Sequence, residues 1–126
     1  TFCIDHHVSN QAFADDNYIF PDASSTCELV FELMDEQKIT KEIAECLYTG
    51  MVHDTGVFQY SCTSAKTMDI AGRLMDKGIG YSKIIDDTFY TKTLTVSALS
   101  VQSHRMRCVS MMCFQSILTE LSASFV

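Results

Sequence analysis

Two short stretches of the chain carry residue types that could do chemistry. Asp-His-His (residues 5–7) directly follows an apolar stretch, and His-Asp-Thr-Gly occupies residues 53–56. Imidazole nitrogens and carboxylate oxygens are ligands that divalent metals accept. Neither stretch is decisive alone, because polar residues also occur in solvated loops. Together they predict a metal site, provided that the fold brings the two stretches to one place.

The apolar residues 2–4 predict a β-strand that ends at Asp5. In open α/β sheets, ligands bind at the carboxyl ends of the strands, which is where this Asp-His-His would lie. We expect the earlier part of this strand to precede residue 1.

The second stretch lies at the end of a predicted helix that begins near Thr40. Ile43, Leu47 and Met51 fall on one stripe of that helix, and Asp54 lies about 20° from Ile43 around the axis. If the helix persists that far, the Asp54 carboxylate faces the buried side and needs a cation or strong hydrogen-bond donors. The alternative is that the helix stops before Asp54, which would then be a solvated loop residue.

The remaining apolar patterns alternate between strand and helix, which favours an α/β fold with a parallel sheet. Ser24, Ser25 or Thr26 is predicted to cap the first helix. The predicted strands lie at residues 17–20 and 57–60. The predicted helices lie at residues 27–36, from Thr63 or Ser64 to Met75, and at residues 82–90. In the helix at residues 64–75, the residues expected to face the core are Met68, Ala71, Leu74 and Met75. Gly78 is predicted to end that helix.

Composition limits the classes of function. The chain has 126 residues, a net charge of −7 and nine Lys and Arg residues, which argues against non-specific binding to long nucleic acid. No apolar run approaches the roughly 20 residues that span a bilayer. The six cysteines form no C-x-x-C pair, so we expect reduced cysteines in a cytoplasmic protein.

The order and spacing of the motifs resemble the DHH phosphoesterase family. The resemblance rests on Asp-His-His, on "ASSTCELVFEL" after it and on "LYTGMVHDTGVFQY" further along, and it runs from Thr1 to about Thr93. Within the family, the motifs are most similar to the group that hydrolyses short RNA oligonucleotides and 3′-phosphoadenosine 5′-phosphate. The resemblance implies an enzyme with two divalent metal ions, usually Mn²⁺, for which His6 and Asp54 are ligands.

The resemblance also implies catalytic roles for the flanking residues. His7 is expected to face the substrate phosphate, and Asp5 is expected to orient an imidazole. His53 projects about 100° away from Asp54 around the helix, so we expect it to be partly exposed rather than a ligand. A rival within the family is a cyclic-dinucleotide phosphodiesterase, and a rival of another class is a non-catalytic fragment or pseudoenzyme.

The chain departs from the family pattern at both ends. Family members carry Asp motifs upstream of Asp-His-His and a smaller domain downstream, and neither is recognisable here. We therefore expect residues 1–93 to be a partial catalytic domain that lacks its first strands, and residues 94–126 to be a divergent tail. A shifted reading frame is our hypothesis for this tail, and a helix at residues 109–121 is the alternative. We expect the chain alone to be inactive and to self-associate as a homo-oligomer.

Overall fold

A computed structural model of the chain describes residues 1–90. The expectations for the tail, including the helix at residues 109–121, lie outside the described residues. The described elements are β1 (Phe2–Asp5), β2 (Asp16–Ile19), α1 (Thr26–Leu33), a 3₁₀ turn (Glu36–Lys38), α2 (Lys41–Asp54), α3 (Ala65–Asp76), α4 (Tyr81–Ile85) and a π-helical turn (Asp86–Tyr90). Strands paired in parallel beside helices confirm the predicted α/β class.

The two strands are parallel, and their register pairs Phe2 with Asp16 and Asp5 with Ile19. The strand pairing continues past β2, because the N–H of Phe20 donates to the carbonyl of Asp5 over 3.0 Å. Both strands therefore end at the same edge. That edge carries the Asp-His-His motif after β1 and the turn that leads into α1 after β2.

Helix α2 lies at the centre of the core, between α1 and α3. Its predicted stripe is confirmed, since Ile43, Leu47 and Met51 are all buried. Thr40 caps the helix, with its hydroxyl accepting the N–H of Ile43. The helix continues to Asp54, so the alternative of an earlier stop is wrong.

The caps of α1 and α3 follow the sequence. Ser25 caps α1 by accepting the N–H of Glu28 over 3.2 Å. Ser64 and Thr67 form a reciprocal capping box at the start of α3. Gly78, with a φ of +77°, follows the end of that helix as predicted.

The prediction of which α3 residues face the core is wrong for one residue. Ala71 and Leu74 are buried and Met75 is partly buried, as predicted, but Met68 is 52% exposed. The prediction for Met68 is wrong because the buried face runs along residues 67, 70, 71 and 74. Met68 lies about 100° from Thr67 around the helix and so faces away from the core.

The predicted strand at residues 57–60 is also wrong, because these residues form a turn. Gly56, Val57 and Phe58 have φ values of 57°, 57° and 62°, which belong to the left-handed region rather than to a strand. The N–H of Val57 donates to the carbonyl of Val52 over 2.8 Å. These backbone groups therefore complete the end of α2 and are not available to pair with a strand.

Across residues 1–90, none of the helices combines the length and the apolar character needed to span a bilayer. The cysteines in this part of the chain (Cys3, Cys27, Cys46 and Cys62) are all free thiols, in keeping with the reduced state expected from the sequence.

Candidate functional site

The fold brings His6 and Asp54 together. His6 follows the last residue of β1, and Asp54 is the last residue of α2. Their facing atoms, His6 Nε2 and Asp54 Oδ2, are 3.7 Å apart. The His6 side chain is 19% exposed and that of Asp54 is 42% exposed, so the two donors meet at the border between core and solvent.

The second ring nitrogen of His6 is held by the backbone. His6 Nδ1 lies 3.3 Å from the carbonyl oxygen of Ala23, in the turn that follows β2. A carbonyl oxygen can only accept, so Nδ1 carries the proton in this hydrogen bond. The lone pair of the neutral ring is then on Nε2, which faces Asp54. This is the tautomer that a metal-binding histidine needs when it binds through Nε2.

The environment of Asp54 makes a cation favourable beside it. Burial raises the pKa of Asp54, and the charges of His6 and His7 act in the opposite direction. A partly desolvated carboxylate gains more from a nearby positive charge than one surrounded by water. Burial is the largest cause that raises the pKa of the neighbouring Cys27 to about 12, and the negative charge of Asp54 is the second.

Asp5 is the centre of a hydrogen-bond cluster. Its Oδ2 accepts from the Asn10 side chain over 2.5 Å, and its Oδ1 lies 2.6 Å from His7 Nδ1. The backbone N–H groups of His6 and His7 also donate to Oδ1, over 2.8 and 3.1 Å. The hydrogen bonds from Asn10 and then His7 hold the pKa of Asp5 well below its usual range.

Asp5 thus orients the ring of His7. The hydrogen bond to Asp5 and then the Asp5 charge raise the pKa of His7, which favours its cationic form. The His7 side chain is mostly exposed, and its ring centroid lies 4.6 Å from that of His6. His7 therefore presents a positioned, solvent-accessible imidazole beside the His6 and Asp54 pair.

Asn10 belongs to this site, and the sequence analysis missed it. A lone Asn five residues after an Asp carries no metal or catalytic signature, so its type and spacing alone gave no reason to select it. His53, by contrast, is partly buried and packs against the ring of Phe89, with 5.9 Å between the ring centroids.

The donor types at the site fit a divalent metal ion. Two ligand bonds of about 2.1 Å each span up to about 4.2 Å, so one ion can reach both His6 Nε2 and Asp54 Oδ2. Within residues 1–90, however, no group of three or more His, Cys, Asp or Glu side chains is arranged to hold a metal. A complete metal site therefore requires ligands in addition to those described.

The site thus has an Asp-His-His motif at the carboxyl edge of a parallel sheet, and this motif faces an Asp at the end of a helix. Residues 1–51 match the family described as "DHH family, N-terminal domain". This match over residues 1–51 confirms the resemblance to the DHH family read from the motifs.

Curated relatives extend this match. The chain is 33% identical over 94 residues to the bifunctional oligoribonuclease and PAP phosphatase NrnA of Bacillus subtilis (strain 168), which covers 71% of this chain and 30% of the relative. It is 38% identical over 74 residues to the probable bifunctional oligoribonuclease and PAP phosphatase NrnA of Streptococcus mutans, covering 57% of this chain and 24% of the relative. The chain thus spans less than a third of the length of these relatives.

A relative with a different activity also matches. The cyclic-di-AMP phosphodiesterase GdpP of Bacillus subtilis (strain 168) is 40% identical over 82 residues, covering 60% of this chain and 12% of the relative. These relatives are thus named as enzymes that act on oligoribonucleotides and PAP or on cyclic-di-AMP.

Proposed function

We propose that this chain is part of a cytoplasmic, metal-dependent phosphoesterase that hydrolyses short RNA oligonucleotides and 3′-phosphoadenosine 5′-phosphate. The observation that carries the proposal is the convergence of His6 Nε2 and Asp54 Oδ2 at 3.7 Å, with His6 Nδ1 directed to the Ala23 carbonyl. The two NrnA relatives support the choice of substrates.

In this proposal, His6 and Asp54 bind one of two divalent ions, and Mn²⁺ is the metal we expect. When bound, such ions supply the positive charge that a phosphate ester requires and activate water for attack. The net charge of −7 and the few Lys and Arg residues make this supply necessary, since the chain itself offers little cationic surface. The further ligands come from outside residues 1–90.

His7 and Asp5 act on the substrate side of the site. Asp5 holds the His7 ring through Nδ1, which prevents the ring from rotating away. The raised pKa of His7 favours an imidazolium, which can donate a hydrogen bond to a phosphate oxygen. Asn10 completes the arrangement, because its hydrogen bond fixes the second oxygen of Asp5.

The alternative function is hydrolysis of cyclic dinucleotides, which the match to GdpP favours. The proposed ligands are the same in both cases, so the site does not discriminate between the two substrates. A third reading is a non-catalytic protein, which the incomplete ligand set within residues 1–90 favours.

Hydrolysis assays test these functions against one another. The chain, extended on both sides by its adjoining coding sequence, is assayed with Mn²⁺ on a dinucleotide, on 3′-phosphoadenosine 5′-phosphate and on cyclic di-AMP. We expect turnover of the first two substrates, and we expect none from residues 1–126 alone. Preferred turnover of cyclic di-AMP would favour the alternative, and no turnover of any substrate would favour the non-catalytic protein.

Three variants of the extended chain test the residues. His6→Gln and Asp54→Asn each remove one proposed ligand while preserving size, and we expect each to lower turnover by more than about a hundredfold. His53→Gln is the matched control, since it changes a histidine next to Asp54 that packs against Phe89. Near-normal turnover by either ligand variant would contradict the assignment.

A further inference from the structure

Glu28 is a charged side chain inside the core that the proposed reaction does not use. It lies on the first turn of α1 and is 2% exposed. Its Oε2 accepts hydrogen bonds from the Ser24 hydroxyl over 2.5 Å, from the Ser24 N–H over 3.3 Å and from the Thr67 hydroxyl over 3.0 Å. Lys66 Nζ lies 3.7 Å from Oε1. A carboxylate so deeply buried is costly unless it accepts hydrogen bonds, and here Oε2 accepts three while the Lys66 charge lies near Oε1.

The Ser24 N–H links Glu28 to the candidate site through one rigid group. The N–H of Ser24 and the carbonyl of Ala23 belong to the same peptide bond, which is planar. Within that plane the two groups point in opposite directions: the N–H donates to Glu28, and the carbonyl oxygen lies 3.3 Å from His6 Nδ1. The orientation of the carbonyl is therefore set by the hydrogen bond that its own peptide makes to Glu28.

We propose that Glu28 is a positioning residue for His6. By fixing the peptide between Ala23 and Ser24, Glu28 keeps the Ala23 carbonyl directed at His6 Nδ1 and so keeps the His6 proton on Nδ1. His6 Nε2 is then free to bind a divalent ion beside Asp54. This role rests on the proposed function, in which His6 binds the metal through Nε2.

Glu28 has a structural role too, and the two roles use different partners. Through Thr67, Glu28 joins α1 to the capping box of α3. Through Ser24, it orients the peptide that faces His6. Thr67→Val removes the first link and leaves the second in place, so this variant separates general destabilisation from loss of positioning.

The ring ¹⁵N resonances of His6 report its tautomer directly. The spectra are recorded on the full chain with labelled histidine and without metal, at pH about 8.5, which is above the ordinary titration range of imidazole. We expect the Nδ1–H form to predominate in the wild type. In Glu28→Ala, the ratio of the Nδ1–H to the Nε2–H form should fall about fivefold, the change that loss of one typical hydrogen bond produces.

Three further variants serve as controls. Glu28→Gln keeps an oxygen that can accept the Ser24 N–H, and it should retain the wild-type ratio. Thr67→Val should lower the melting temperature but retain the ratio. Glu32→Ala removes a carboxylate on the same helix that pairs with Lys66, and it should leave the ratio unchanged. If Glu28→Ala does not fold, Glu28→Asp replaces it, because the shorter side chain withdraws the carboxylate from Ser24.

A predominant Nε2–H form in the wild type would overturn the proposal. So would a wild-type ratio in folded Glu28→Ala or Glu28→Asp, or an equal loss of the Nδ1–H form in Thr67→Val. Because the tautomer is measured without metal, failure of the chain extended by its adjoining coding sequence to bind Mn²⁺ would count against the proposed function and not against the positioning of His6 by Glu28.

Discussion

Two thiols near the candidate site differ sharply in their surroundings. Burial is the main cause that raises the pKa of Cys27 to about 12, whereas Cys62 is exposed, with its sulfur 3.9 Å from the Asp54 carbonyl. Only the thiolate reacts readily with alkylating agents. The fold therefore protects Cys27 from alkylation and leaves Cys62 accessible.

Alkylation with iodoacetamide at pH 8 should modify Cys62 much faster than Cys27. A pKa of about 12 instead of 9.0 leaves roughly a thousandfold less thiolate at that pH, and the partly buried position of Cys27 slows access further. Peptide mass spectrometry measures both rates, and the urea-unfolded chain, in which the two should react alike, is the control. Equal rates in the folded chain would contradict the raised pKa of Cys27.

At the residue scale, the sequence predicted which side chains meet but not all of their partners. His6 and Asp54 were selected for their residue types, for the position of His6 at a strand end and for the position of Asp54 on the helical stripe of Ile43, Leu47 and Met51. The structure leaves the Asp54 side chain 42% exposed, so it does not face the buried side as expected. The partner of Asp5 was left open, and it proves to be His7. Asn10 and the Ala23 carbonyl were missed, because such contacts depend on how two loops fold over one another.

At the element scale, close contact between α1 and α2 sets the position of the helix that carries Asp54. A Cβ atom added at Gly50 would overlap the sulfur of Cys27 and lie 3.3 Å from its Cβ. Glycine is therefore required at this crossing for steric reasons. Gly72 in α3 differs, since an added Cβ there would meet nothing within 4 Å.

Gly50→Ala should lower the free energy of unfolding by about 1–3 kcal/mol, because the added methyl overlaps the Cys27 side chain. Gly72→Ala is the control and should raise it by about 0.5–1 kcal/mol, the usual gain in a helix interior. Urea denaturation measures both changes. The double variant Gly50→Ala with Cys27→Ala should recover part of the loss, and no loss in Gly50→Ala would show that the helices are further apart.

The end of α2 depends on the buried hydroxyl of Thr55. This hydroxyl donates to the Met51 carbonyl over 2.6 Å and accepts the N–H of Phe58 over 3.0 Å. Thr55→Val should lower the free energy of unfolding by about 1–3 kcal/mol, because it leaves the Phe58 N–H without this acceptor.

Thr49→Val is the matched control for Thr55→Val. The hydroxyl of wild-type Thr49 also donates to the carbonyl four residues earlier, that of Glu45, but Thr49 is only partly buried. We expect a smaller effect there, about 0.5 kcal/mol or less. Equal losses in the two variants, measured by urea denaturation, would contradict a special role for the turn at Thr55.

The helices could be predicted from the sequence where the apolar periodicity and the capping residues agreed, as in α2 and α3. The turn at residues 57–60 was not, because Val, Phe and Tyr favour strands locally. Its left-handed backbone goes with local hydrogen bonds back to the end of α2, such as the one from the N–H of Val57 to the carbonyl of Val52, and a strand-like residue pattern does not reveal them. A β-branched residue at positive φ gives no signal in sequence.

At the scale of the whole molecule, the described part has a small sheet with only two strands, and exposed apolar side chains near it. Phe13 is 81% exposed in the loop between β1 and β2, and Val8 and Phe2 are exposed as well. Parallel sheets normally have both faces covered and their strands paired. These features favour contact with another chain or segment.

Self-association of residues 1–126 should therefore be visible by sedimentation velocity as a sedimentation coefficient that rises with concentration. Added salt should strengthen it, because salt screens the repulsion from a net charge of −7. Phe13→Ser should weaken it, and Met68→Ser, which changes an exposed residue on α3, should not. A monomer at every concentration would contradict this expectation.

If His6 and Asp54 together bind a divalent metal, both must contribute to the affinity of the extended chain for Mn²⁺. Electron spin resonance of free Mn²⁺ measures the affinity for Mn²⁺ of the extended wild-type chain and of its variants His6→Gln, Asp54→Asn and His53→Gln. We predict that the first two variants each weaken binding at least about tenfold, since even partners of metal ligands contribute that much. His53→Gln should bind as the wild type does. Equal affinity in all four proteins would contradict the metal site.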